Sequence, residues 1–349
     1  MKQLFLFIGF VLSLQATGQK SSIPAALRKG IIKDLFIYDT APFPSCHAST
    51  IVETPKGLVA AWFGGKYEGS DDVSIYTSHL QNGKWSAPAI AAEGWINDSI
   101  RHACYNPVLY QVPGKELILF YKIGPNVHGW TGWLKRSFDN GKTWSKAEAI
   151  PDGFLGPIRN NPYLANGLLI LPSSTEKTGW KVHFEYTRDN GKTWSKSPDL
   201  NDGKTITGIQ PAILNHGNNT LQAICRSQDG SINETWSYDN GRTWTALTKT
   251  KLPNNNSGID AITLKNGTHL LVYNNVKPSS DNNEGIGVRT PLNVAVSKDG
   301  KNWKDILILE NEPGVEFSYP YLIQTKDGLV HIVYTWKRKK IKYIALKIP

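Results

Sequence analysis

The sequence SFDNGKTW at residues 137–144 is the strongest indication of the fold, because it recurs along the chain almost unchanged. It recurs as TRDNGKTW at 187–194 and SYDNGRTW at 237–244, with a shortened copy, SKDGKNW, at 297–303 and a degraded one, NGKW, at 82–85. In each full copy Asp-Asn-Gly supplies the positive φ angles of a tight turn, and Ser or Thr and Asp can hydrogen-bond the local backbone. The copies therefore predict a series of β-hairpins, each with a Trp packed back onto its turn.

A second repeat lies upstream of the hairpins. Six short apolar segments are each followed by a Gly-containing turn and a second apolar strand, and they begin at His47, Asn106, Asn161, Gln210, Asp260 and Tyr319. Short strands that repeat at a spacing of about 50 to 60 residues are typical of propeller blades. The sequence therefore predicts an all-β, six-bladed β-propeller. Because the sixth unit lacks the hairpin motif, residues 31–38 are expected to supply its outer strand and close the ring.

The N-terminal residues have the pattern of an export signal. A short positive start precedes an apolar run at 4–14, and Ala16, Thr17 and Gly18 follow as small or short residues. The run is too short to span a bilayer, so residues 1–18 are predicted to be a cleaved signal peptide, with an apolar N-terminal helix as the alternative. Residues 19–349 are then a single propeller domain, secreted or periplasmic, with no integral membrane segment after cleavage.

The charge balance indicates an acidic partner. The chain has 39 Lys and Arg against 29 Asp and Glu, a formal net charge of +10. An exported chain meets little nucleic acid and no recognition motif is present, so acidic oligosaccharides or polysaccharide fragments are the expected partners. The basic run at 337–340 is interpreted as a solvated edge.

No nucleotide motif or metal-ligand spacing occurs, so no cofactor or metal is expected. The three cysteines are expected to be small buried hydrophobes, and whether two of them pair stays open.

Polar residues are predicted to converge on one mouth of the propeller channel. In an antiparallel hairpin the first strand starts and the second strand ends at the same rim, where the third strand also starts. This places the six strand starts together with Lys122, Arg226 and Trp336 at second-strand ends, and with Glu68, Asp72, His183 and Arg289 before third strands. Such convergence on a concave face predicts a binding or catalytic site. The alternative is that the Asn, Asp and Gln residues only cap strand ends.

The repeated hairpin resembles the Asp box of sialidases, and the whole mature chain is similar to the sialidase-like BNR-repeat proteins of the predicted-neuraminidase type. Sialidases of this fold bind a carboxylate with three arginines and use a Tyr nucleophile, an activating Glu and an acid/base Asp. The resemblance implies that Arg226 and Arg289 are two of the arginines, Tyr319 the nucleophile and Asp72 (or its neighbour Asp71) the acid/base. The family's first arginine is missing near residues 45–47. The activating Glu falls on Gln210, which cannot take a proton.

Three functions are compatible with these residues. Arginines that neutralise a carboxylate, together with a His and a Tyr, can remove the proton α to a carboxyl group and expel the group at C4. The first hypothesis is therefore a lyase or dehydratase that converts uronate oligosaccharides to 4,5-unsaturated products, with His47 or Tyr319 as base and His183 as a further acid/base candidate. The second is a sialidase-like exo-glycosidase in which Glu316 or Glu68 activates Tyr319. The third is a non-catalytic glycan-binding propeller. Expected substrate-binding residues are Arg226, Arg289, Gln210, Lys122, Asn106, Asp260, Glu68 and Trp336.

Overall fold

A computed structural model describes residues 30–278 and 288–348 of the chain, and these residues form strands, turns and connections without a helix. The predicted signal peptide lies outside the described residues. None of the residues described forms a helix long and apolar enough to cross a membrane.

The strands of the described residues are short, as the hairpin pattern predicts. In chain order they are β1 Ile31–Phe36, β2 Ser45–Thr54, β3 Gly57–Gly65, β4 Ser74–Gln81, β5 Lys84–Trp85, β6 Ala89–Ala92, β7 Ala103–Gln111, β8 Leu117–Gly124, β9 Thr131–Ser137, β10 Glu148–Ala149, β11 Tyr163–Ala165, β12 Leu168–Thr175, β13 Lys181–Thr187, β14 Ser195–Lys196, β15 Ile209–Gly217, β16 Thr220–Arg226, β17 Ser231–Ser237, β18 Thr248–Pro253, β19 Asp260–Thr263, β20 His269–Tyr273, β21 Leu292–Ser297, β22 Lys304–Glu310, β23 Phe317–Gln324, β24 Val330–Trp336 and β25 Lys340–Leu346.

The strands form six antiparallel sheets, one for each predicted blade. Blades 2 to 5 take four consecutive strands each, from β7–β10 to β19–β22, and blade 1 (β2–β5) carries β6 as an extra strand beside β4. Blade 6 has the order β1-β25-β24-β23, so the first strand of the chain pairs with the last. The six-bladed propeller and its closure by the segment beginning at Ile31 are both confirmed.

The repeated hairpins hold their turns with the bonds that their sequence predicts. In blade 3, Asp189 Oδ1 accepts the backbone N–H of Thr193 at 2.8 Å, and Thr187 Oγ1 accepts that of Gly191 at 2.9 Å. The indole of Trp194 donates to the Gly191 carbonyl at 2.9 Å, and the corresponding Trp244 of blade 4 stacks on Phe184 of blade 3 at 3.9 Å. Each box thus closes its own hairpin, and its Trp fills the space between neighbouring blades. All three cysteines are buried and unpaired.

The innermost strands of four blades bend at the mouth. Their pairing slips in register where Ala48, Asn106, Gln210 and Tyr319 have φ angles of 53°, 40°, 57° and 53°. The left-handed conformation costs a non-glycine residue roughly 1–2 kcal/mol and is concentrated at functional sites. The bend therefore fixes where the strand-start side chains point. It also shows that Ala48, not His47, occupies the repeated position in blade 1.

Candidate functional site

Tyr319 lies at the centre of a cluster of positive charge. Its side chain is largely buried, and its Oη accepts a hydrogen bond from Arg226 Nη1 at 2.5 Å. The guanidinium carbons of Arg159, Arg226 and Arg289 lie 4.8, 5.5 and 5.6 Å from the centroid of its ring. Positive charge at this range stabilises negative charge that develops on the phenol oxygen. The phenol oxygen is thus placed to carry negative charge during a reaction.

Arg226 is held in one orientation by its neighbours. Its Nε and Nη2 both donate to Asn256 Oδ1, at 3.1 and 3.0 Å, and its plane lies over the Trp180 ring at 4.9 Å. Gln210 Oε1 lies 3.5 Å from Nη1, the same nitrogen that binds Tyr319. The start of blade 4 at Gln210 and the start of blade 6 at Tyr319 therefore lie at one site, where the sequence predicts them.

A fourth guanidinium, that of Arg338, reaches the site from the hairpin between β24 and β25. Arg338 Nε bonds Glu316 Oε1 at 3.0 Å and its Nη1 bonds Glu68 Oε2 at 2.5 Å, while Arg289 Nη1 binds the same Glu316 oxygen at 2.8 Å. Burial alone would raise the pKa of Glu316, but the two arginines outweigh it and lower the pKa. The carbonyl of Arg338 accepts the N–H of Cys46 at 2.9 Å, which places this residue beside 45–47, where the arginine was missing. The interpretation of 337–340 as a solvated edge is wrong for Arg338.

His47 lies behind Tyr319 and does not face the open mouth of the channel. The two ring centroids are 4.0 Å apart, and His47 is only 1% exposed. Its Nδ1 is 2.9 Å from Thr335 Oγ1, and its Nε2 has no hydrogen-bond partner among the described residues. Burial and then nearby arginines, Arg338 first, lower its pKa well below the usual range, so the ring is neutral. A substrate reaches Tyr319 before His47.

Arg159 and Asp260 lie deeper, in the wall of the channel. Arg159 is fully buried and donates to the carbonyls of Ile259 and Pro320, which belong to blades 5 and 6. Asp260 accepts Asn160 Nδ2 at 2.7 Å and the backbone N–H of Leu322 at 2.8 Å, and burial raises its pKa to about 6. The prediction that Asp260 contacts substrate at the mouth is not supported by this position, because it is fully enclosed.

Glu176 is a carboxyl group at the mouth that the sequence reading missed. It lies in the hairpin between β12 and β13, close to the Trp180 side chain, and its ionisable neighbours include Arg226, His128 and Glu68. Burial raises its pKa. Glu68 and Glu316 are paired with arginines, whereas Glu176 is poised to hold a proton.

Comparisons with known proteins agree with this architecture. The sequence profile of the family described as "BNR repeat-like domain" matches residues 56–332. The chain belongs to the BNR repeat-like domain family. No curated protein matches the sequence.

Solved structures that resemble this BNR repeat-like protein include sialidases and a protein of unknown function. The Hadza microbial sialidase Hz136 has a TM-score of 0.73 at 15% identity, with 90% of this chain and 68% of that one covered. A protein of unknown function from Dyadobacter fermentans has 0.70 at 16%, covering 91% and 99%, and the intramolecular trans-sialidase from Ruminococcus gnavus has 0.67 at 14%, covering 93% and 98%. At such identities the likeness shows the fold, which is that of the sialidase propeller.

Two of the predicted site residues lie between blades 2 and 3 of the BNR repeat-like propeller. Lys122 is fully buried, donates to the Pro157 carbonyl and lies near Glu185, and its burial lowers its pKa to about 7. Lys122 has no exposed surface that a substrate could contact, so its role is structural. His183 Nε2 lies 3.2 Å from Glu185 Oε1, on the same face of the propeller as Tyr319 but in a separate cleft.

The remaining predicted residues stabilise the backbone around the mouth or pack beside it. Asp72 accepts the N–H of Lys66 at 3.1 Å. Its partial burial would raise its pKa, but its hydrogen bonds outweigh this effect and lower the pKa. A carboxylate with a lowered pKa can stabilise a turn but is a poor proton donor. Trp336 packs edge-on against Phe36 at 5.1 Å, and Asn106 occupies the blade 2 bend. Among the described residues, no three His, Cys, Asp or Glu side chains are grouped as metal ligands.

Proposed function

We propose that this BNR repeat-like protein is a carbohydrate-active enzyme that eliminates the C4 substituent of a uronate residue in an oligosaccharide. The observation that carries the proposal is that Arg226 and Arg289 lie against Tyr319 and that Arg338 joins them by sharing Glu316 with Arg289. Guanidinium groups bind carboxylates bidentately, and here one phenol lies among three of them. An acidic sugar bound by this cluster presents its α-carbon to Tyr319.

The elimination balances with the groups in place. The guanidinium groups stabilise charge that develops on the carboxyl group as the C5–H bond breaks. The Tyr319 phenolate takes that proton, the electron pair forms the C4–C5 double bond, and the C4–O bond breaks toward the leaving oxygen. Glu176 or the protonated phenol returns a proton to that oxygen. The leaving group is a sugar in a lyase and water in a dehydratase, and both leave a 4,5-unsaturated uronate.

Elimination suits this site better than hydrolysis through an activated tyrosine. A Tyr nucleophile of the sialidase type needs a carboxylate beside its hydroxyl. Tyr319 Oη is bonded by Arg226 Nη1, and that nitrogen also lies 3.5 Å from the amide oxygen of Gln210. Glu68 and Glu316 neutralise Arg338 and Arg289 instead. The arginines stabilise negative charge on the phenol oxygen during proton transfer, so the elimination needs no activating carboxylate.

A second candidate function is release of a terminal acidic sugar by a glycosidase. Glu176 favours it, because a carboxyl group with a raised pKa is the usual general acid of glycoside cleavage. The sialidases of the same fold support this candidate by analogy. Tyr319 is then the nucleophile.

We also propose that residues 1–18 export the protein, a proposal supported by their sequence pattern.

The test is ultraviolet absorbance of unsaturated uronate, with release of a fluorogenic sialoside followed alongside. The mature protein is incubated with oligosaccharides from pectin, alginate and glycosaminoglycans. Elimination predicts rising absorbance that Tyr319→Phe abolishes and that Tyr238→Phe, an exposed tyrosine of a hairpin turn, leaves unchanged. Sialoside cleavage without absorbance would support the glycosidase and contradict the elimination. Binding without either signal would contradict both and leave a glycan-binding propeller.

A further inference from the structure

A cleft between blades 2 and 3 opens on the same face as the Tyr319 site and has a volume of about 320 Å³. This volume lies at the small end of the range for ligand sites, about 300–1,000 Å³. We call it the blade 2–3 cleft. Its lining includes Trp130, Phe154, Lys177, His183, Lys196 and Asp199.

His183 marks the cleft as a site rather than a gap in packing. It is 5% exposed, and its Nδ1 has no hydrogen-bond partner among the described residues; Asp199 Oδ1, at 3.9 Å, is too distant. Its Nε2 faces Glu185 Oε1 at 3.2 Å, so Nδ1 is the ring nitrogen left to pair with a ligand. A ligand hydroxyl in the cleft would satisfy that nitrogen.

The floor behind His183 is rigid. The carboxylate of Glu185 is fully buried and accepts the backbone N–H of Leu155 at 2.9 Å and of Gly156 at 2.7 Å, and Ser173 Oγ lies 3.1 Å from it. These bonds orient the carboxylate, and the carboxylate orients the imidazole. A preorganised group of this kind loses little freedom when a ligand binds.

The charges of the lining indicate the class of ligand. Lys177 and Lys196 face Asp152 and Asp199, and the third carboxylate of the lining, Glu185, interacts with the buried Lys122. The cleft therefore has no large excess of either charge. Trp130 and Phe154 add aromatic surface, which sugar rings pack against. Hydroxyl groups can donate to the carboxylates, can pair with His183 Nδ1 and can accept from the lysines. A neutral sugar fits this combination.

The cleft is next to the Tyr319 site across one hairpin. Thr175 and Lys177 line it, and Glu176 between them has Arg226 of the Tyr319 site and His128 of the cleft among its charged neighbours. We propose that the blade 2–3 cleft binds a neutral sugar residue of the same glycan whose acidic residue reaches Tyr319. This inference rests on the proposed function for the identity of the neighbouring residue, but the binding of a neutral sugar is tested on its own.

The experiment is saturation-transfer NMR on the full mature chain with glucose, galactose, mannose, rhamnose, xylose, arabinose and N-acetylglucosamine. Thr131→Trp fills the cleft and Asp199→Ala removes a polar group from it. The matched control, Lys192→Ala, changes an exposed lysine in a hairpin turn of blade 3, and Arg338→Ala changes only the Tyr319 site. Circular dichroism verifies that each variant is folded.

The expected result is saturation transfer to at least one neutral sugar, reduced at least tenfold by Thr131→Trp and reduced by Asp199→Ala, and unchanged by Lys192→Ala and Arg338→Ala. No transfer to any of these sugars would overturn the inference, as would transfer that survives Thr131→Trp. Loss of acidic-sugar binding in Arg338→Ala with intact neutral-sugar binding would support both sites separately. Neutral-sugar binding without any acidic-sugar binding would contradict the proposed function and keep this inference.

Discussion

Replacing Arg338 by alanine is expected to weaken acidic-sugar binding far more than it weakens the fold. The side chain is 30% exposed, and its partner Glu68 is 42% exposed, so each of its ion pairs contributes roughly 0–1 kcal/mol to stability. Glu316 keeps Arg289 at 2.8 Å after the substitution. A charge-assisted hydrogen bond to a bound carboxylate contributes about 1.5–3 kcal/mol, or about 10- to 150-fold in the dissociation constant.

The assay is isothermal titration with glucuronate, galacturonate and N-acetylneuraminate, alongside thermal unfolding of each variant. Arg338→Lys keeps the charge but not the planar fork and should recover only part of the affinity. Lys339→Ala, the exposed neighbour in the same hairpin, is the matched control and should change neither quantity. Equal losses in Arg338→Ala and Lys339→Ala would refute the reasoning. A loss of affinity explained entirely by unfolding would refute it too.

Three further predictions concern pH and single side chains. Hydrogen bonds hold the pKa of Asp189 at about 2, below its ordinary 3.8, so its stabilisation is complete above about pH 5 and is lost as the pH falls through 2. Asp189→Ala should therefore cost about 1–2 kcal/mol in urea unfolding at pH 7 and clearly less at pH 2, and an equal cost at both would contradict this. Because His47 stays neutral, His47→Asn should lower kcat without removing an ionisation between pH 6 and 7 from the rate profile, and loss of such an ionisation would place His47 in direct proton transfer. Activity that needs protonated Glu176 falls as the pH rises through its raised pKa, so Glu176→Gln should slow turnover and abolish that basic limb; an unchanged limb would assign the proton to another group.

Much of the architecture follows from the sequence because its signals are local. Each Asp box closes a turn with bonds between residues at most four positions apart, so four copies identify four hairpins without any knowledge of distant contacts. Antiparallel pairing then fixes which strand ends share a rim. For this reason Arg226, Gln210 and Tyr319 meet as predicted, although they come from different blades.

The errors arise where the direction of a side chain depends on the three-dimensional backbone. The bend in β2 puts Ala48 at the repeated position and turns His47 behind Tyr319. Arg338 points into the site because Lys337 and Arg338 have φ angles of 53° and 57°. A run of basic residues does not predict such angles. Glu176 lies in a hairpin whose proximity to Arg226 depends on the packing of blade 3 against blade 4.

The most direct test of the central claim compares acidic sugars with their methyl esters by isothermal titration. The ester keeps every hydroxyl and the ring but removes the negative charge, so binding in the blade 2–3 cleft contributes equally to both ligands. The arginine cluster around Tyr319 predicts that glucuronate, galacturonate or N-acetylneuraminate binds at least tenfold more tightly than its ester, and that Arg338→Ala removes most of this difference. Equal affinity for acid and ester would contradict carboxylate recognition by Arg226, Arg289 and Arg338.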